Sequence, residues 1–225
     1  MLKQSIDGGQ GAFDYQPLQA PPDLIHVDQS LLIVDKPAGL LSVPGRGAHL
    51  ADCLLARMQV VFPHALLVHR LDMDTSGVMV FARNPAAQRH LGLQFEKRYV
   101  KKTYVARVWG KVFNPSGHIN LPLSVDWPNR PRQHVNFEMG KRALTDWRVL
   151  RVEGPTTRLR LVPKTGRSHQ LRVHMKEIGH PILGDPFYAT GPACAFARLM
   201  LHAESLGLRH PDGGHAMMFQ SPVPF

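Results

Sequence analysis

Short apolar runs separated by polar and turn-forming residues dominate the pattern along this chain. Leu31 to Val34 is a continuous apolar run that stops before Lys36-Pro37, which is typical of a buried strand ended by proline. Val78 to Phe81 is a second run of the same kind. Apolar and β-branched residues predict further strands at 99–109, 143–152, 157–162, 199–202, 205–208 and 216–219.

Three segments have the spacing of a helix instead. Residues 50–61 place one apolar set on a single helical face: Leu50, Cys53, Leu54, Met58 and Val61. Pro85 suits the first turn of a helix running to about Arg98, and Ser168 is predicted to cap a third helix that ends at Gly179. Because strands predominate and do not alternate regularly with helices, we expect an α+β fold. It should have a bent, mostly antiparallel sheet flanked by helices and loops.

The N-terminal segment differs in composition from the rest. Residues 1–22 are rich in Gly, Gln and Pro, which predicts a flexible tail followed by one domain over 23–225. The first ten residues lack the apolar core of a secretory signal, and no stretch approaches the ~18 apolar residues of a membrane span. We therefore expect a cytoplasmic protein that does not bind membranes.

The charge balance indicates a polyanionic partner. Lys and Arg number 27 against 17 acidic residues, a net charge of +10. Residues 83–111 contain eight Lys or Arg and only one acid, Glu96, so opposite charges do not balance this stretch. Such a surface suits the phosphates of a nucleic acid.

The two cysteines, Cys53 and Cys194, do not form a disulfide framework, and Cys53 is expected in the core.

The segment from His69 to Gly77, HRLDMDTSG, carries the most specific chemistry. It is a polar cluster between two predicted strands, where a rigid scaffold often holds site residues. A simple turn explains Ser76 and Gly77 but gives no role to the neighbouring Arg70 and Asp72.

Three further segments accompany it in order: Lys102–Ala106 (KTYVA), Thr165–His174 (TGRSHQLRVH) and Arg198–Ala203 (RLMLHA). Together the four segments resemble the motifs of the RluA-type pseudouridine synthases, and the likeness extends from about Leu31 to the end of the chain. The resemblance implies a pseudouridine synthase catalytic domain that isomerises uridine in RNA without a cofactor or metal.

Two more segments resemble one subgroup of that family, the dual-specificity RluA enzymes: Ser42–Arg46 (SVPGR) and Asp126–Pro131 (DWPNRP). The resemblance implies two substrates, a tRNA anticodon stem-loop and a hairpin of large-subunit ribosomal RNA. Residues 1–22 are too short for the S4 RNA-binding module of some relatives, so we expect a monomer whose catalytic domain recognises RNA unaided.

The resemblance assigns Asp72 as the nucleophile, attacking C1′ of the ribose or C6 of the uracil; the sequence does not choose between them or against a glycal route. A carboxylate can split the isomerisation into two easier steps through a covalent intermediate. A shielded carboxylate needs a nearby guanidinium to stay ionised, and the resemblance gives this role to Arg167. Asp74 falls at a variable motif position and is expected to face elsewhere.

The remaining implied roles concern RNA. A paired or stacked uridine must be flipped out before it can react. Tyr104 matches the tyrosine that stacks on the flipped uracil, Leu201 packs against the base, and Arg70 fills the space that the base leaves. Lys101 and Lys102 are predicted to contact phosphates.

Two other classes of function remain as alternatives. A non-catalytic RNA-binding module explains the basic surface but gives no role to a carboxylate, which repels phosphate. A metal-dependent hydrolase would use His69, Asp72, His169, His174 and His202, although none shows a standard ligand spacing.

Overall fold

The computed structural model describes residues 14–225 as twelve strands and three α-helices. The strands are β1 (Asp23–Val27), β2 (Leu31–Lys36), β3 (Leu66–Leu67), β4 (Ser76–Ala82), β5 (Lys101–Trp109), β6 (Ser116–Asn120), β7 (Leu123–Val125), β8 (Gln133–Val135), β9 (Leu144–Glu153), β10 (Thr156–Pro163), β11 (Leu201–Arg209) and β12 (Ala216–Gln220). The helices are α1 (Leu54–Val61), α2 (Pro85–Glu96) and α3 (Gln170–Glu177).

Ten of these strands form one sheet in the order β1-β2-β4-β11-β5-β10-β9-β6, with β3 paired to β4 and β12 to β11. Every pairing is antiparallel except that of β4 with β11, near the middle of the sheet. β7 and β8 form a separate hairpin. The predicted α+β fold with a mostly antiparallel sheet is confirmed.

The apolar runs are explained by burial on both faces of the sheet. Alternate side chains of a strand point to opposite faces. Ile33 and Val80 pack under α2 on one face, whereas Val34 and Phe81 pack under α1 on the other. Since both faces are covered, β2 and β4 are apolar throughout rather than alternating.

Gly77 allows the close approach of β4 and β11. It pairs with Ala203 and has φ of +114°. A Cβ placed on Gly77 would lie 2.3 Å from the carbonyl oxygen of Ala203, inside any allowed contact. The glycine is therefore required by both the backbone conformation and the spacing of the strands.

We expect Gly77→Ala to lower the free energy of unfolding by at least about 2 kcal/mol, because the backbone of β11 must move and the φ is unfavourable. Gly92→Ala in α2 is the matched control. Nothing lies within 4 Å of its added Cβ, so it should stabilise the protein by about 0.5–1 kcal/mol. Urea unfolding measures both. Equal stabilities of the two variants would contradict this explanation of Gly77.

Two predicted helix starts are wrong. Cys53 is the N-cap of α1 rather than a residue on its face, although it is fully buried as expected. The N-cap of α3 is His169, in the left-handed conformation at φ 52°, and not Ser168. No side chain caps α3. The Gln170 side chain instead ties the preceding loop to the helix, because its Oε1 accepts from Thr165 Oγ1 and from the N–H of Arg167.

The predicted tail is only partly described: its residues 1–13 lie outside the described part, and residues 14–20 lie against the domain. The Tyr15 hydroxyl donates to the Asp52 carbonyl and accepts from the N–H of Leu41. Arg57 donates to the carbonyls of Leu18 and Ala20. Within 14–225, no helix has the length and apolar character needed to cross a bilayer.

Candidate active site

Asp72 lies in a tight turn that leads into β4, at the middle of the sheet. The N–H of Thr75 donates to the Asp72 carbonyl over 3.1 Å and closes the turn. On the other side, the buried Leu71 exchanges hydrogen bonds with Ser42 Oγ through both its N–H and its carbonyl. The Asp72 side chain is 29% exposed to solvent. A rigid backbone thus presents a carboxylate that a substrate can still reach.

Lys36, at the end of β2, forms hydrogen bonds to the backbone around this turn. Its side chain is fully buried, and Nζ donates to the carbonyls of Pro37, Leu40 and Met73 over 2.7–2.9 Å. Burial lowers the pKa of Lys36 to about 7, against the opposing charges of Asp74 and Asp72. No role for this lysine is predicted from the sequence, where it is only the polar end of an apolar strand.

A pH dependence of stability follows from Lys36. In the unfolded chain the amine titrates near its usual 10.5, so between about pH 7 and 10.5 unfolding takes up a proton. The free energy of unfolding should therefore rise with pH in that window, by at most about 1.4 kcal/mol per unit from this group. Lys36→Met should remove this contribution. Urea unfolding at pH 7.5 and 9.5 measures it, and equal pH slopes for wild type and variant would contradict it.

The guanidinium beside Asp72 belongs to Arg172, in α3, and not to Arg167 as predicted. Arg172 Nη1 lies 3.4 Å from Asp72 Oδ2. Arg167 is exposed, and its Nε donates to the Arg142 carbonyl. Since α3 begins at Gln170, Arg172 lies within its first turn and reaches inward, whereas Arg167 lies in the loop before it.

Arg172 is itself held by Asp185. Its Nε and Nη2 donate to the two carboxylate oxygens of Asp185 over 2.8 and 2.7 Å, with both residues 2% exposed. Its Cζ lies 5.2 Å from the ring centres of both Phe187 and Tyr188. This bidentate pair fixes the guanidinium. The ion pair with Asp72, at 3.4 Å, is longer than the two bonds to Asp185, and it places positive charge beside a carboxylate that stays partly exposed.

Tyr104 converges on the same place from β5. It pairs with Ala203 of β11, which pairs in turn with Gly77. The half-buried ring packs between two core clusters, one containing Leu71 and the other Leu201. Burial, and next the Asp72 charge, raises the pKa of Tyr104, so its phenol stays protonated. Tyr104 therefore lies within electrostatic range of Asp72.

The other predicted residues lie around this centre. Arg70 is exposed at the start of the turn, and Leu201 is buried beside Tyr104 in the core. Lys101 is exposed at the start of β5. Lys102 is half-buried, with its Nζ 5.8 Å from the centre of the Phe95 ring and its pKa lowered by burial. Lys101 is thus more available to a phosphate than Lys102.

Asp74 does not face elsewhere, contrary to the prediction. Burial raises its pKa, while the charges of Arg172 and Lys36 oppose that rise. It therefore belongs to the same electrostatic cluster as Asp72.

A buried hydrogen-bond chain links the turn to β11. Arg198 Nη2 donates to Ser76 Oγ over 2.6 Å, and Ser76 Oγ lies 2.8 Å from His202 Nδ1. His202 Nε2 contacts the Ser221 carbonyl at 3.2 Å. Burial lowers the pKa of His202, which keeps the imidazole neutral. The RLMLHA segment thus fixes the start of β4, immediately after the turn.

The histidines that a metal hydrolase would need are engaged elsewhere. His69 Nε2 accepts from the N–H of Val80, His174 contacts Thr145, and His169 Nδ1 lies 2.7 Å from the Tyr188 hydroxyl. Across the described residues, no group of three or more His, Cys, Asp or Glu side chains is arranged to hold a metal ion.

Comparison with known proteins decides the family. The sequence pattern of the family described as RNA pseudouridylate synthase matches residues 30–177, more than half of the chain. This chain is an RNA pseudouridylate synthase. It is an enzyme that isomerises uridine in RNA to pseudouridine, as the four motifs predicted.

Individual relatives of this synthase cover nearly the whole chain. It is 52% identical to the dual-specificity RNA pseudouridine synthase RluA of Yersinia pestis, over 90% of this chain and 99% of that protein. It is 50% identical to the protein of the same name from Escherichia coli K12, over 96% and 100%. The resemblance to the RluA-type family is confirmed.

Solved structures agree on the fold of this synthase. Human RNA pseudouridylate synthase domain containing 1 superimposes with a TM-score of 0.76 at 28% identity, covering 93% of this chain and 87% of that one. Human RNA pseudouridylate synthase domain containing 4 gives 0.71 at 24% identity, covering 89% and 88%. The second likeness concerns the fold alone.

Proposed function

We propose that this synthase modifies a uridine in a tRNA anticodon stem-loop and another in a large-subunit ribosomal RNA hairpin, with Asp72 as the nucleophile. The observation that carries the role of Asp72 is its position in a fixed, accessible turn, 3.4 Å from the guanidinium of Arg172. Support for two substrates comes from relatives about 50% identical over more than 90% of both chains and named dual-specificity enzymes. We further propose that it acts as a monomer in the cytoplasm.

Isomerisation requires three changes in the bound uridine. The N1–C1′ bond must break, the base must turn, and C5 must bond to C1′ with loss of its proton. Asp72 attacks C1′ or C6 to carry the first step as a covalent intermediate. Arg172 places positive charge 3.4 Å from the carboxylate, and the protonated Tyr104 offers its ring face to the flipped uracil.

Arg70 and Leu201 complete this proposal. Arg70 is exposed at the entrance of the turn, where a planar guanidinium can stack in the space left by the flipped base. Leu201 packs beside Tyr104 and gives the uracil an apolar neighbour. Because a loop base is easier to unstack than a paired one, uridines in a perfect duplex should be poor substrates.

Exposed lysines provide the phosphate contacts in this proposal. We expect Lys101→Ala to flatten the plot of log affinity against log salt by about 0.9, the value for one lost phosphate contact. Lys102→Ala should change it less, because Phe95 and burial already engage that amine. Fluorescence anisotropy with a stem-loop RNA measures both slopes. A larger effect from Lys102 than from Lys101 would contradict this assignment.

Purified protein and two transcripts test the proposed substrates. A tRNA anticodon stem-loop and the rRNA hairpin are each incubated with protein and chelator, and pseudouridine is mapped to single positions. We expect one modified loop uridine in each RNA. Modification of only one RNA would overturn dual specificity. Tight binding of both without any modification would favour the non-catalytic RNA-binding module.

A further inference from the structure

The loop between β7 and β8, residues 126–132, presents an aromatic side chain and a cation together on the surface. Trp127 is 66% exposed, an unusual position for the largest apolar side chain. The Cζ of Arg130 lies 4.7 Å from the centre of its ring. We name these two residues the Trp127–Arg130 pair. Nothing in the reaction proposed above uses them.

This loop is held rigid by its own hydrogen bonds. The N–H of Asp126 donates to the Arg132 carbonyl over 3.0 Å. Between them, the N–H of Asn129 donates to the Asp126 carbonyl, and the Asn129 carbonyl accepts from the N–H of Arg132. The Asn129 side chain also donates to both carboxylate oxygens of Asp126. The Asn129 amide therefore engages the acidic side chain of the loop, while the Arg130 side chain is exposed.

The start of β8 is hydrogen-bonded to a residue that packs against Arg172. The N–H of Gln133 donates to the Tyr188 hydroxyl over 2.8 Å, and the ring of Tyr188 lies against Arg172. The C-terminal end of this loop is therefore linked to the Arg172 side of the site, so an RNA stem beside the target uridine can reach it.

The charge around the pair favours a polyanion. The hairpin and its flanks carry more cations than acids: Arg130, Arg132, Lys141 and Arg142 against Asp126 and Glu138. A guanidinium resting on an aromatic ring keeps its N–H edge free for two parallel bonds to a phosphate.

We propose that the Trp127–Arg130 pair binds a backbone phosphate in the stem that flanks the target loop, with Trp127 as the platform that orients Arg130. This inference rests on the proposed action on a stem-loop. It assigns the hairpin to positioning the RNA and leaves the chemistry to the residues around Asp72.

Arg130→Gln tests the pair, with Arg151→Gln as the matched control. Arg151 is equally a surface arginine. It lies about 23 Å along β9, at roughly 3.3 Å per residue, from Leu144, whose carbonyl accepts from Gln170 at the start of α3. Anisotropy with a short stem-loop RNA should give a Kd about fivefold weaker for Arg130→Gln at low salt, and a salt slope smaller by about 0.9. Arg151→Gln should match wild type. Equal slopes for all three proteins would overturn the proposal.

Replacing single stem phosphates by neutral methylphosphonates locates the contact. At one position the replacement should weaken binding to wild type but not to Arg130→Gln, since the partner is already lost there. In Trp127→Ala the same methylphosphonate should also have no effect on binding, whereas in Trp127→Phe it should weaken binding almost as much as in wild type. Identical losses for wild type and Arg130→Gln at every position would overturn the proposal and leave the pair to a protein partner.

The rate at saturating RNA separates this inference from the proposed function. Single-turnover pseudouridine formation by Arg130→Gln should stay within about twofold of wild type, because the pair acts only in binding. A loss greater than tenfold would overturn the binding role. If wild type modifies no stem-loop at all, the proposed function fails. The affinities of wild type and Arg130→Gln for methylphosphonate RNA still test the phosphate contact on their own.

Discussion

Asp72→Asn should reduce the rate of pseudouridine formation by at least about 10³-fold, as expected when the nucleophile of a covalent mechanism is lost. Asn has nearly the shape of Asp, and the turn is held by backbone contacts to Thr75 and Ser42 that do not involve the carboxylate. Folding and most of the RNA affinity should therefore survive, since phosphates supply most of the binding. Tritium release from RNA labelled at C5 of uracil, under single-turnover conditions with chelator, measures the rate.

Asp74→Asn is the control for that experiment. Asp74 lies in the same turn and in the same field of Lys36 and Arg172, so the variant makes a matched change of charge two residues away. It should remain within about tenfold of wild type. Should Asp74→Asn lose as much activity as Asp72→Asn, the effect would belong to the charge of the cluster and not to a nucleophile.

Arg172→Met should lower the free energy of unfolding by about 3–5 kcal/mol, because it leaves the carboxylate of Asp185 buried without its cation. It also removes the positive charge beside Asp72, so whatever folds should be nearly inactive. Arg172→Lys keeps the charge but not the bidentate geometry. It should recover part of the activity while remaining less stable than wild type.

Urea unfolding and tritium release separate the two roles of Arg172. The exposed Arg167 supplies the comparison, because Arg167→Met should cost less than about 1 kcal/mol. If Arg167→Met abolished activity and Arg172→Met did not, the original assignment of the guanidinium partner would be restored.

The sequence predicts the strands of the sheet's centre well because their apolar runs reflect burial on both faces. It divides β11 into two strands, since the register shifts between Ala203 and Ser205 and the bulge interrupts the pattern. The β7–β8 hairpin is missed because its strands have only three residues each.

The turn that contains Asp72 was predictable as a candidate site because the four motifs are local in sequence. The role of Arg172 was not, because it depends on Asp185, which follows thirteen positions later and reaches it only in the folded chain. Fully buried charged residues are rare, so a periodic reading assigns Lys36 and Arg172 to the surface. The cost of burying Lys36 is offset by hydrogen bonds to three carbonyls, and that of burying Arg172 by the carboxylate of Asp185.

The most direct test of the account is the position and identity of the product. A stem-loop RNA is incubated with purified wild type or Asp72→Asn, with chelator present and no cofactor added. Pseudouridine is then labelled with carbodiimide and mapped by primer extension. The account predicts a stop at one loop uridine with wild type and none with Asp72→Asn over the same time. A comparable stop with Asp72→Asn, or none with wild type, would contradict it.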